Sequence, residues 1–189
     1  MPFTATPLPG VFIFEPAVYP DDRGYFFESY NKRLFQANNI PEEFVQDNQS
    51  FSCYGVIRGL HFQLEPHAQS KLVRVLQGSI LDVVLDLRIG SPGFGKTFSV
   101  ELSAANKKQI FIPKGFAHGF SVLSETTEIS YKCDQFYNKQ SEGGVRYNDP
   151  QLNIDWKVPA GSALVSEKDT ILPLFDPRFA HFKFDQRDA

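Results

Sequence analysis

KLVRVLQ (71–77), Gly78 and then ILDVVLDLR (80–88) form the stretch that decides the fold. Side chains on a strand alternate sides with a period of two, so residues 71, 73, 75 and 77 share one face. In the second piece Leu81, Val83, Leu85 and Leu87 make an apolar face, while Asp82, Asp86 and Arg88 point the other way with Ile80 and Val84. Such a mixed second face meets either solvent or a polar barrel interior. Working outward, further strands are predicted at 11–14, 24–30, 97–102, 109–112, 119–123 and 128–133, punctuated by Gly, Pro and Asn. NKRLFQANN (31–39) reads as a short helix stopped before Pro41. No convincing helical pattern lies between the strands of 71–133, and parallel βαβ units need room for a crossover helix. The pattern therefore predicts an all-β architecture, an antiparallel sandwich or closed barrel with short peripheral helices. Towards the C-terminus SEKD (166–169) is a polar patch, and residues 172–189 show no usable period.

The 189 residues suit one domain, with the barrel core expected over about 45–155. Phe occurs 19 times, which points to a large apolar core or an oligomer interface. A net charge of −3 argues against a generic affinity for nucleic acid, while leaving room for a local cationic pocket. Cys53 and Cys133 match no zinc-ligand spacing and are expected to be buried, reduced thiols. No leader and no membrane-spanning run is visible, so a cytoplasmic location is expected. No dinucleotide fingerprint or phosphate-binding loop occurs.

Two short segments carry the chemistry. GLHFQ (59–63) is followed by Lys71 and Gly78, and PKGFAH spans 113–118. They resemble the two halves of the cupin signature: a His-x-His pair with a Glu six residues before a Gly, then Pro-x-Gly-x-x-His. His61 and His118 keep ligand positions, but Gln63 replaces the second His and Lys71 stands in the Glu slot. A divalent ion wants imidazoles and a carboxylate, whereas an ammonium repels it. The expectation is a barrel that kept its pocket and lost its metal. A fixed cation in a dry pocket stabilises an oxyanion, His61 is a proton acceptor near neutral pH, and Tyr131, in the strand 128–133, is a proton donor. A base, a cation and an acid suit proton abstraction beside a carbonyl.

With these pieces, DRGYFFE (22–28), QDNQS (46–50), GVIRGLHFQ (55–63), IPKGFAHGF (112–120), EGGVRYNDP (142–150) and SEKD (166–169) occur in order. The chain resembles the dTDP-4-dehydrorhamnose 3,5-epimerase family from about residue 16 to 169. That resemblance implies a homodimer of cupin-type jelly-roll barrels, without metal or organic cofactor, acting on a dTDP-linked 4-keto-6-deoxysugar. It implies His61 as base, Asp169 as its support, Lys71 as the enolate-stabilising cation and Tyr131 as the acid. It implies Arg58 and His118 at the sugar and phosphate, and Arg23, Glu28, Gln46 and Asn48 at the nucleotide, some of them supplied across the dimer. Tyr137 matches the aromatic residue near the thymine, and Glu142 and Lys168 fall in the same recognition region. Tyr147 stands where many relatives carry Trp, and Phe62 where others carry Tyr.

Plainer readings compete with these. Taken alone, His61 is as easily a hydrogen-bonded structural histidine, and Lys71 a surface lysine. Asp82 and Asp86 rival Asp169 as the partner of His61. His67 and His181 have no convincing partner and are expected in solvent. A C3-only epimerase would share base and cation. A non-catalytic sugar-nucleotide binder would not need His61, Lys71 and Tyr131 together. An iron oxygenase would need ligands that Gln63 and Lys71 do not supply.

Overall fold

A computed structural model describes residues 2–179 and 182–185. The chain lays down β1 (Phe3–Ala5), β2 (Phe12–Phe14), β3 (Val18–Asp21) and β4 (Gly24–Phe27), then helix α1 (Lys32–Gln36). There follow β5 (Gln46–Cys53), β6 (Val56–Gln63), β7 (Lys71–Gln77), β8 (Ser79–Asp86), β9 (Arg88–Ile89), β10 (Thr97–Ser103), β11 (Gln109–Ile112), β12 (Phe116–Val122) and β13 (Thr126–Cys133). The last elements are β14 (Glu142–Gly144), β15 (Leu164–Val165), α2 (Glu167–Thr170) and β16 (Phe182–Lys183). One sheet runs β1-β2-β11-β7-β13-β5 and the other β10-β8-β12-β6-β14, with β15 added parallel to β6. Every other pairing within the two sheets is antiparallel. This is the expected all-β, cupin-like jelly roll.

The two sheets face one another across a shared core. Val73 and Val75 of β7, Ile110 and Ile112 of β11 and Ile129 of β13 meet Ile80 and Val84 of β8, Leu102 of β10 and Phe120 and Val122 of β12. Each such side chain removed from water contributes about 1.5–3 kcal/mol. The mixed face of 80–88 is thus the interior of the barrel, and both faces of β8 are buried. Its leucine-rich outer face is covered by the chain's later part: Leu81, Val83 and Leu85 pack with Val145, Trp156 and Phe182. The outer face of the first sheet is covered by α1 and the segment after it, where Phe35 and Ile40 meet Phe14, Leu72 and Phe111.

Local chemistry fixes the joins. Asn31 caps α1, its side chain accepting from the amides of Arg33 and Leu34. Gly78 turns β7 into β8 at φ 77°, and a Cβ there would lie 2.2 Å from the Thr126 carbonyl oxygen, so no side chain fits.

Several expectations need correction. The strand expected over 24–30 ends at Phe27, and the helix expected over 31–39 spans Lys32–Gln36. Cys53 is exposed, because it ends an edge strand whose alternate residues face solvent; Cys133 is buried, and both are free thiols. His67 is partnered, its Nδ1 lying 2.9 Å from Ser141 Oγ. The strand expected at 119–123 starts earlier, at Phe116, and pairs with β8 from that residue. His181 lies outside the described residues. Among the described residues no helix is long and apolar enough to cross a membrane.

Candidate active site

The motif residues converge on one open end of the barrel. A cavity of about 710 Å³ is lined there by Arg58 and His61 of β6, Lys71 of β7, His118 of β12, Tyr131 of β13, residues 163–166, Lys168 and Asp169. That volume suits a small-molecule ligand. His61 reaches it because β6 lies beside β12, with His61 and His118 as direct cross-strand partners. Gly59 permits this approach: at φ 121°, a Cβ would come within 2.6 Å of Gly119 Cα. Lys71 and Cys133 are cross-strand partners in the other sheet, and Tyr131 lies two residues from Cys133 on the same face.

Asp169 resolves the choice of partner for His61. Its Oδ1 lies 2.7 Å from His61 Nε2, and its Oδ2 accepts from the Gly59 amide at 3.1 Å. Asp169 is buried, while His61 keeps about a third of its side chain exposed to the cavity. Burial alone would raise the Asp169 pKa, but the hydrogen bonds from His61 and Gly59 outweigh it and hold the group below the usual carboxylate range. The contact therefore stabilises the fold above the ordinary carboxylate pKa and fades as pH falls through the lowered value. The rival acids are occupied elsewhere. Asp82 Oδ2 lies 2.8 Å from His118 Nε2, and Asp86 accepts from Arg88 and Ser91.

The polar SEKD patch is what delivers Asp169. Ser166 caps α2, accepting from the Asp169 amide, so the acid is the third residue of a capped turn. Ser followed three residues on by an acid is a start signal legible in sequence, and it marks this helix.

Burial lowers the Lys71 pKa, while Cys133 and Asp82 oppose that shift. Burial raises the Tyr131 pKa, with Arg58 the opposing influence, so the phenol keeps its proton through neutral pH. Arg58 is braced at the cavity mouth by Ser52 Oγ at 3.1 Å. Base, cation and phenol around one cavity can remove a proton beside a carbonyl, hold the resulting oxyanion and return a proton.

A chain of contacts runs along the rim. Asn48 accepts from Gln46, Gln46 accepts from the Tyr137 amide, the Tyr137 hydroxyl donates to Glu142, and Glu142 pairs with Lys168. The Lys168 bond holds the Glu142 pKa down. Tyr137 is 53 % exposed, leaving a ring face open for stacking.

Arg23 and Glu28 are not brought to this cavity within one chain. Arg23 sits in the β3–β4 turn, paired with Asp21 and otherwise in solvent. Glu28 lines a separate cleft with Glu15, Pro16 and Tyr19. Of the acids left open as partners of His61, Asp82 instead meets His118, a pairing that the sequence did not signal.

Comparison with known proteins gives the family. The family model described as dTDP-4-dehydrorhamnose 3,5-epimerase matches residues 5–177. The dTDP-4-dehydrorhamnose 3,5-epimerase of Shigella flexneri is 52% identical over 165 residues, 87% of this chain and 90% of that protein. The crystal structure of the enzyme of that name from Elizabethkingia anophelis NUHP1 is 53% identical with a TM-score of 0.88, covering 92% of this chain and 95% of that one. The dTDP-6-deoxy-D-glucose-3,5-epimerase of Legionella pneumophila Philadelphia 1, solved in complex with dTDP-4-keto-L-rhamnose, is 43% identical with a TM-score of 0.90, covering 97% and 98%. With one model spanning nearly the whole described chain, about half of all residues shared with these relatives and the same barrel around the site, the chain belongs to the dTDP-4-dehydrorhamnose 3,5-epimerase family.

Proposed function

We propose that the protein inverts C3 and C5 of dTDP-4-dehydro-6-deoxy-D-glucose, giving dTDP-4-dehydro-L-rhamnose. What carries this reading is that His61, Lys71 and Tyr131 line one cavity, with Asp169 2.7 Å behind the His61 ring. C3 and C5 both flank the C4 ketone, so loss of either proton sends charge to the same oxygen. His61 takes the proton, and Asp169 orients its ring and stabilises the imidazolium that forms. Lys71 meets the C4 oxyanion. Tyr131 returns a proton from the opposite face, which its raised pKa suits. Arg58 and His118 hold the sugar and phosphate; Gln46, Asn48, Tyr137, Glu142 and Lys168 form the nucleotide rim. NMR of the product formed from the keto-sugar nucleotide tests the reading: inverted configuration at both carbons is expected. Inversion at C3 alone would assign the narrower epimerase, and an unaltered sugar would remove the enzyme reading.

Two variants follow. Asp169→Asn keeps the shape but loses the charge that favours imidazolium, and kcat is expected to fall about 10- to 100-fold with little change in dTDP affinity. Equal kcat in both proteins would free Asp169 of this role. Tyr131→Phe is expected to keep proton removal, followed as solvent exchange at C3, while slowing completed inversion at C5 by about 100-fold. Uniform loss of every step would contradict a selective acid.

The reaction is read as metal-free. Lys71 occupies the carboxylate slot, and the Gln63 amide donates to the His67 carbonyl and accepts from the Asn138 amide. Among the described residues no group of three or more His, Cys, Asp or Glu side chains could hold an ion. Turnover is expected to survive dialysis against a chelator; loss restored by one metal would overturn this.

A homodimer completes the reading. Tyr19, Tyr25 and Phe26 project from the β3–β4 hairpin at 59–69 % exposure, an apolar surface suited to burial against a second copy. Arg23 and Glu28 on the same arm would then serve the partner's nucleotide. Sedimentation of the active enzyme as a monomer would count against this arrangement.

A further inference from the structure

Asp82 is wholly buried yet only half used. One carboxylate oxygen, Oδ2, meets His118, while Oδ1 is buried with no hydrogen-bond partner among the described residues. An unpaired carboxylate oxygen in a barrel core is costly unless something positive lies near it. Asp82 shares the inward face of β8 with Ile80 and Val84, and these pack across the core against Val73 and Val75 of β7. Lys71 continues that inward row of β7. Asp82 itself does not line the cavity, whereas both Lys71 and His118 do.

We propose that Asp82 is a positioning residue, set behind the cavity wall, that bonds the His118 ring through one oxygen and, without a direct ion pair, lends the charge of its unpartnered oxygen to the inward row that carries Lys71, where the oxyanion forms. This rests on the role given to Lys71 above. The other groups around Lys71 cannot supply the negative charge. On β13, burial pushes the Cys133 thiol up to about 11, and Tyr131 likewise keeps its proton. Asp169 on α2 is committed to His61 and the Gly59 amide. His61 and Arg58 on β6, His118 on β12 and Lys168 on α2 are bases or cations. Asp82 is one of the two influences that oppose the lowering of the Lys71 pKa by burial, and the other, Cys133, is uncharged at neutral pH.

The sign of the effect follows. Removing the Asp82 charge lets burial act unopposed, so Lys71 loses its proton at lower pH and the alkaline limb of activity moves down. A neighbouring opposite charge typically shifts a pKa by about one to three units. The experiment compares wild type, Asp82→Asn and His118→Asn by the initial rate of solvent-deuterium exchange at C3 against pH. Asp82→Asn is expected to move the alkaline limb down by about one unit or more, with KM within about threefold. His118→Asn, which removes the ring bonded to Asp82 together with a substrate contact, is expected to lower the rate but to leave the limb in place. An Asp82→Asn limb at the wild-type position would overturn the proposal. If Asp82→Asn does not fold, Asp82→Ser takes its place. Failure of both to fold, judged by thermal unfolding and dTDP binding, would make Asp82 a structural residue and equally overturn it. Lys71→Met exchanging at the wild-type rate would instead remove the role of Lys71, a result separable from any Asp82 outcome.

Discussion

His61→Ala is expected to abolish proton exchange at both C3 and C5, lowering kcat by about 100- to 10,000-fold while dTDP still binds. The two losses should come together, because one imidazole serves two carbons that flank the same carbonyl. The Asp169 carboxylate keeps its bond from the Gly59 amide in the variant, so the turn that walls the cavity retains an anchor. Nucleotide affinity should hold because the rim residues, from Gln46 to Lys168, make no hydrogen bond to His61. Loss at one carbon only would mean that a second base operates, and the remaining candidate on this cavity is His118, cross-strand from His61 and backed by Asp82.

Lys71→Met carries the second large effect. The substitution keeps chain length and apolar stem but removes the cation, so the enolate oxygen loses the charge placed to meet it. Removing one oxyanion-stabilising group costs about 100- to 1,000-fold in kcat. The loss should appear in kcat more than in KM, because the charge it answers exists only after a proton has left carbon. Initial rates across substrate concentration separate the two, and an effect confined to KM would reduce Lys71 to a ground-state contact.

Much of the barrel was legible because period-two alternation survives wherever a strand has two different faces. Residues 71–77 fold as read and 128–133 lie within β13, whereas the helix expected over 31–39 spans only Lys32–Gln36, with Asn31 as its cap. β8 was harder. Covered on both sides, by the opposite sheet and by Val145, Trp156 and Phe182, it carries a mixed face that alternation could assign to solvent or to a core. The site divided along similar lines. His61 and Lys71 stand out through their departures from a metal-binding pattern. The pairing of His61 with Asp169 spans 108 positions, and no local rule joins residues so far apart. Choosing among Asp82, Asp86 and Asp169 needed the strand order: β6 lies between β12 and β14 and also pairs with β15, which leads into α2, while β8 lies against the other side of β12. Arg23 and Glu28 mark the remaining gap: within one chain they lie away from the cavity, Arg23 paired with Asp21 in the β3–β4 turn and Glu28 in a separate cleft.

Carbon-bound protons are expected to leave to His61, which exchanges with solvent, against the Lys71 charge. Wild-type enzyme given dTDP-4-dehydro-6-deoxy-D-glucose in heavy water tests it most directly, with the product read by mass and by NMR. Deuterium at both C3 and C5 is the predicted result. Product of inverted configuration that carries no solvent deuterium would contradict it.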